Sequence, residues 1–235
     1  MKLNTNSNAY TIAYAAIIVV VVAFFLAFAE SGLKARSSAN ERIDKKQQIL
    51  AALNIRNVPK DSVEIRYDEI VQADPIVNKE GKVLSQGASK DKDGFNVDRG
   101  NLGSENLPVF VCKVNGTNKY VIPMVGTGLW GSIWGFIAIN EDCKTVYGSY
   151  FGHASETAGL GALINEAKFQ ELFQNKTAYN DKGETVLEVV KAGTVKDEAT
   201  QVDGITGATL TTHGVENMLK EYMGLYSNYL NYVKQ

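Results

Sequence analysis

The chain has 235 residues, a formal net charge of −2 and 45% apolar residues. That balance excludes a wholly disordered chain, and the absence of a basic excess argues against nucleic acid as a partner. Two cysteines, Cys112 and Cys143, and two histidines, His153 and His213, exclude a disulfide scaffold, a four-cysteine cluster within the chain and a His-rich metal site, so no metal ligands are assigned.

Ala9 to Ala29 carries no charge. As a helix it reaches roughly 30 Å, the thickness of a bilayer core. A cleaved signal peptide is the competing reading, because Ala27-Phe28-Ala29 resembles a cleavage site. The run is longer than a signal core of about 7–15 residues, which favours a retained single-pass anchor. Lys34, Arg36, Arg42, Lys45 and Lys46 follow the run, whereas only Lys2 and the amino group precede it. Counted alone, these charges are a weak vote for a cytoplasmic domain.

Residues 30–40 read as a flexible exit. Asn40-Glu41-Arg42 then opens a short amphipathic helix with Ile43, Leu50 and Leu53 on one stripe and Lys45, Lys46 and Gln48 facing away, stopped by Asn57-Val58-Pro59. Residues 74–106 are polar and glycine-rich and read as a long surface excursion or partner-binding segment.

From Leu107 the pattern becomes strand-like. Val109–Val114 and Lys119–Val125 form one hairpin pair around Asn115-Gly116-Thr117-Asn118, and Ile133–Asn140 and Thr145–Phe151 form a second around residues 141–144. A short helix over Glu166–Phe173 shows Phe169, Leu172 and Phe173 on one face, and Thr185–Lys191 is a further strand. The closing helix, Thr212–Val233, carries an apolar stripe of Val215, Leu219, Tyr222, Tyr226, Tyr229 and Val233. Its tyrosines read as packing residues rather than redox relays. The fold class is α+β: one N-terminal transmembrane helix, then a largely antiparallel sheet with flanking helices. Expected divisions are an anchor at 1–30, a juxtamembrane helix and polar segment at 31–106, and a domain at 107–235.

Three stretches look like a site. Asp203-Gly204-Ile205-Thr206-Gly207-Ala208-Thr209-Leu210-Thr211-Thr212 is a glycine-containing turn entering the last helix. Hydroxyls crowd where free N–H groups and the positive dipole end favour a phosphate, although spacing alone fits an ordinary helix cap equally. Gly128-Leu129-Trp130-Gly131 is either a tight turn with a core tryptophan or an aromatic platform. His153-Ala154-Ser155-Glu156-Thr157-Ala158-Gly159-Leu160-Gly161 is, on residue types alone, either a polar surface loop or part of a site. Cys112 reads as a buried small hydrophobe, and a disulfide to Cys143 stays open.

The segment Asp203 to Thr209 resembles the flavin-attachment motif of the FMN-binding domain family, with Asp203, Gly204, Thr206, Gly207, Ala208 and Thr209 all in place. The resemblance implies one FMN per chain, held covalently by a phosphoester to Thr209 and attached by a flavin transferase with FAD as donor. The turn at Leu129 and Trp130 resembles the family's ring-packing turn. The loop Glu156, Thr157, Gly159, Leu160 and Gly161 resembles its flavin-lining loop, with Ala158 where the family usually has proline. Leu210 and Thr211 complete the implied cofactor-binding set; no catalytic acid, base or nucleophile is implied.

The order of anchor, turn, loop and motif is similar to that of the NqrC family of the Na+-translocating NADH:quinone reductases over nearly the whole chain. That implies an electron-transfer component of a membrane enzyme, inactive alone, which passes electrons from a membrane iron–sulfur centre to a flavin on NqrB. It also implies NqrB, NqrD and NqrE as partners, a bilayer contact through residues 9–29, and a flavin domain on the periplasmic side of the bacterial inner membrane. The related RnfG-like component of a ferredoxin:NAD+ oxidoreductase and a flavin-free anchored binding module are the alternatives.

Overall fold

The computed structural model describes residues 7–234; Lys2, which enters the charge count above, lies outside them. Two compact units, residues 1–45 and 46–235, are separable by their contacts.

The first unit holds most of helix α1, Asn8–Ala52. Ser7 starts it: its hydroxyl accepts the Tyr10 N–H at 3.2 Å. Ile12 through Phe28 present exposed apolar side chains, and the helix is long and apolar enough to cross a membrane. Residues 30–40, expected to be a flexible exit, are instead helical. No proline interrupts them, and the Ser37 hydroxyl donates to Glu41 one turn on at 3.0 Å. The helix ends at Ala52, before the Asn57-Val58-Pro59 stop expected above. Asn54 adopts φ +61°, and the Ile55 N–H reaches back to the Leu50 carbonyl at 2.9 Å, a left-handed C-terminal cap.

The second unit is built on a five-stranded antiparallel sheet. It comprises β1 (Val71–Ala73), β5 (Phe110–Val114), β6 (Thr117–Thr127), β7 (Ser132–Asn140) and β8 (Val146–His153), side by side in that order. The two expected hairpins are present. The first turns on Asn115-Gly116 alone, both at positive φ, which matches the twist of the flanking strands.

Alternation along these strands buries both faces. Tyr120, Ile122, Met124, Ile133, Ile137 and Ile139 pack in one core with α4 (Thr209–Val233). From α4, Val215, Leu219, Tyr222, Tyr226 and Tyr229 are buried there, as the stripe required, while Tyr232 is exposed. The Tyr226 hydroxyl donates to the Pro108 carbonyl at 3.0 Å, and Tyr179 donates to the Met223 carbonyl at 2.8 Å. Phe151, Phe169 and Phe173 cluster with ring centroids 5.0–5.9 Å apart. The segment expected as one helix over 166–173 is a chain of short turns around α3 (Ala167–Gln170), and Leu172 is exposed.

The other face is covered by the end of α1 and by α2 (Val63–Ile70), with Ile49, Leu50, Leu53, Val63, Tyr67 and Ile70 buried. Here Lys46 and Gln48 do not face away. Lys46 is 3% exposed, and its ammonium sits 5.0 Å from the Tyr67 ring centroid and 3.5 Å from Asp91 and Glu64. The aromatic faces take its apolar stem and its charge together. Gln48 accepts from the Trp134 indole at 3.1 Å.

Residues 74–106 are folded rather than an excursion. They carry β2 (Ile76–Val77) and β3 (Val83–Ser85), which join β4 (Leu107–Pro108) in a small antiparallel sheet. Phe95 and Asp74 are buried. The 106/107 division falls inside this unit, because β1 pairs with β5 across it. Finally, β9 (Glu188–Val190) and β10 (Gln201–Asp203) pair in parallel and lead into α4. Cys112 and Cys143 are both buried and free.

Candidate functional site

Helix α4 begins on Ala208, which offers no side-chain cap. Its first amide to close within the chain is that of Thr212, on the Ala208 carbonyl at 2.9 Å. The N–H groups of Thr209, Leu210 and Thr211 therefore have no partner among the described residues, and they carry the positive end of the helix dipole. Thr209 is the first helical residue and its side chain is exposed.

The turn before it is held from both ends. The Ile205 N–H donates to the Thr212 hydroxyl at 3.1 Å, and the Gly204 N–H donates to the Val190 carbonyl at 2.8 Å. Gly204 sits so close to Thr212 and Val190 that a Cβ would collide with them. Gly207 at φ +79° makes the last bend, a conformation that favours glycine. Asp203 lines neither of the cavities beside Thr209; its carboxylate accepts the Gly193 N–H at 2.8 Å and orders the 191–194 turn.

Two cavities flank Thr209. One, of about 110 Å³, lies between Thr206, Gly207 and Thr209 on one side and Lys191 and Ala192 on the other. Lys191 directly follows β9, and only its proximity in the fold marks it for the site. The other cavity, of about 200 Å³, is walled by the start of α4 (Gly207 to Thr211), by Glu156, Thr157, Leu160 and Gly161, and by Leu129. Three motifs that lie far apart in sequence thus meet at one opening. Gly159, at φ +75°, turns the loop without lining the cavity.

Glu156 joins them. It is 7% exposed. Its carboxylate accepts the Trp130 N–H at 2.9 Å and the Thr211 hydroxyl at 2.6 Å. Gly128 and Gly161 are small because a Cβ on either would strike that carboxylate. The Glu156 N–H donates to His153 Nδ1 at 3.2 Å, and the Ser155 hydroxyl donates to the Trp130 carbonyl at 2.8 Å. So Glu156 is neither a surface residue nor an exposed ligand. Trp130 is not a core tryptophan: it is 65% exposed, and Leu129, Leu160 and Leu210 are 48%, 41% and 61% exposed beside the same opening. Three large apolar side chains in water line one pocket, with exposed Trp130 next to Leu129 but outside the lining, and together they mark a binding surface.

Behind the loop, buried Gln170 was missed from sequence. Its amide donates to the Phe151 and Ile164 carbonyls at 3.0 and 3.2 Å and accepts from Arg56 at 2.7 Å. Among the described residues, no group of three His, Cys, Asp or Glu side chains could hold a metal ion. The arrangement offers a nucleophilic hydroxyl, uncapped amides, a cation and an apolar rim. It offers no acid–base pair at the hydroxyl.

Comparison with known proteins places the chain in a family. Residues 128–224 match the model of the FMN-binding domain. The chain is 27% identical to the C subunit of the Na(+)-translocating NADH-quinone reductase (NqrC) from Pseudomonas aeruginosa, over 94% of this chain and 93% of that one. The corresponding protein from Haemophilus ducreyi is 28% identical over 95% and 92%. The crystal structure of a third, from Parabacteroides distasonis, is 36% identical and superposes with a TM-score of 0.77, covering 84% of this chain and 96% of that one.

Proposed function

Because the chain belongs to the NqrC family of the Na(+)-translocating NADH-quinone reductases, and is 36% identical to a solved member, we propose that it carries FMN on Thr209 as a one-electron relay in such a reductase. The observation that carries the proposal is the exposed Thr209 hydroxyl at an uncapped helix start, between two cavities. The residues fit the group. The amides of the first turn and the Lys191 ammonium complement a phosphate, and the apolar rim complements a flavin ring.

Attachment makes one bond between Thr209 Oγ and the phosphorus of the flavin half of FAD. The pyrophosphate bond breaks, AMP leaves, and the hydroxyl proton passes to a base on the transferase, since the Glu156 carboxylate in the shared cavity wall is already held by the Trp130 amide and the Thr211 hydroxyl. When bound, FMN supplies acceptance and release of single electrons. The chain's own work is positioning. Thr212 and Asp203 fix the turn that presents Thr209, and the leucines around the opening would keep water from a ring seated against them. Pockets that enclose a drug-sized ligand run about 300–1,000 Å³. The cavity here, of about 200 Å³, would enclose only part of an FMN.

The donor in this reading is a membrane iron–sulfur centre and the acceptor a flavin on NqrB, with NqrD and NqrE nearby. The exposed apolar run of α1 anchors the chain in the inner membrane, and the flavin domain lies in the periplasm, where the transferase acts. Thr209→Val, expressed with the transferase, tests the attachment. The proposal expects loss of protein-bound flavin fluorescence with an unchanged melting temperature; retained covalent flavin refutes it.

A further inference from the structure

Among the described residues, two acids are less than a tenth exposed: Asp74, remote from both cavities, and Glu156, in the wall of the larger one. The lining of that cavity contains no Lys, Arg or His, so the Glu156 carboxylate faces no side-chain cation there, only the start of α4. Both carboxylate oxygens are engaged, one by the Trp130 amide and the other by the Thr211 hydroxyl. These two donors sit on segments 26 and 55 residues away from Glu156, one at the tip between β6 and β7 and one in the first turn of α4. No backbone hydrogen bond links that tip to the helix start.

We propose that Glu156 is a positioning residue that latches the Leu129–Trp130 tip to the start of α4, and that its buried charge in the pocket wall lowers the midpoint potential of the group held there. The latch stands on the hydrogen bonds alone. The second half rests on the FMN reading above. A carboxylate buried in a low-dielectric wall acts on a neighbouring redox group far more strongly than it would in water. Each electron taken up adds negative charge to the flavin, and the Glu156 charge opposes it. The carboxylate also cannot be replaced by a neighbour, since Gly128 and Gly161 are pared back to admit it.

Glu156→Gln and Glu156→Ala separate the two halves in the full-length chain. Gln keeps the shape: its carbonyl oxygen accepts from Trp130 and its amide donates to the Thr211 oxygen. Amide hydrogen exchange is read at residues 128–131 and at 212–215, the first hydrogen-bonded amides of α4, with and without attached flavin. Ala is expected to speed exchange in both segments together by about tenfold or more, the scale of losing a hydrogen bond to a charged group. Gln is expected to stay near wild type. Unchanged exchange in Ala, or acceleration in one segment only, overturns the latch. If Ala does not fold, Thr211→Val removes one arm, and its exchange at 128–131 decides in the same way.

Mediated redox titration of the flavin-loaded chain reads the second half. Gln is expected to raise the midpoint potential while exchange stays at the wild-type rate, an effect that loss of packing would not produce. An unchanged or lowered potential overturns the electrostatic role. Peptide mass mapping of the wild type accompanies both arms. A chain without flavin at Thr209 counts against the attachment reading and against the electrostatic half, while the exchange arm still decides the latch.

Discussion

Replacing Thr211 by valine removes a hydroxyl that is 1% exposed and lies 2.6 Å from the Glu156 carboxylate, while keeping the shape of the side chain. A hydrogen bond to a charged group contributes about 1.5–3 kcal/mol, and here the loss leaves a buried carboxylate with one donor fewer. The folded unit spans residues 46–235, and unfolding entropy near the midpoint runs at about 2.1 cal/mol/K per residue, or about 0.4 kcal/mol/K for the unit. The melting temperature is therefore expected to fall by about 4–8 °C. Thr211→Ser keeps the hydroxyl and is expected to recover most of that loss. Thermal unfolding of the full-length chain in detergent, followed by circular dichroism, reads both variants. A valine variant within about 1 °C of wild type, or a serine variant as damaged as valine, refutes the view that this contact is a charge-assisted bond in a buried wall.

Lys191→Gln is expected to slow flavin attachment by the transferase without moving the melting temperature, because Lys191 is exposed and lines the cleft beside Thr209; a time course of flavin fluorescence checks it. Tyr226→Phe strands the buried Pro108 carbonyl and is expected to cost about 1–2 kcal/mol, a fall of about 2–5 °C in the same assay. Asp74 is fully buried with one carboxylate oxygen unpartnered, and burial holds its pKa above the usual carboxylate value despite the Phe95 amide. A raised pKa in the fold means that its contribution to stability is present below the unfolded pKa and is lost as pH rises through the folded one. Asp74→Asn is therefore expected to gain on wild type in melting temperature as pH rises from about 4, and a constant gap from pH 4 to 8 would contradict this.

The strands β5 to β8 were legible because each runs long enough to show apolar residues or a clear turn at its end, and Asn115-Gly116 names its own turn. The stripe from Val215 to Tyr229 was legible for the same reason. Residues 74–106 were not, because strands of two or three residues such as Ile76–Val77 and Val83–Ser85 are too short to show alternation. Lys46 was misplaced because a charge usually reads as solvent-facing. Its burial depends on Tyr67 and Phe95, which are remote in sequence. The polar exit at 30–40 lacks a breaker stronger than Gly32, so the helix runs through it.

The site divides in the same way. Each motif was visible singly, and the positions around Thr209, Glu156 and Leu129 meet at one opening. What holds them together was invisible. A carboxylate that reaches 26 residues back and 55 forward leaves no local pattern, and Lys191 and Gln170 gain their places only from the fold. Trp130 read equally as core or as platform, and its exposure decides that it is not core.

Whether Thr209 carries FMN is decided by intact mass and peptide mapping of the chain, produced together with a flavin transferase. The expected result is a gain of one FMN less one water, localised to Thr209 in the peptide spanning Asp203 to Thr212. An unmodified Thr209 beside an active transferase, or flavin on another residue, would contradict it.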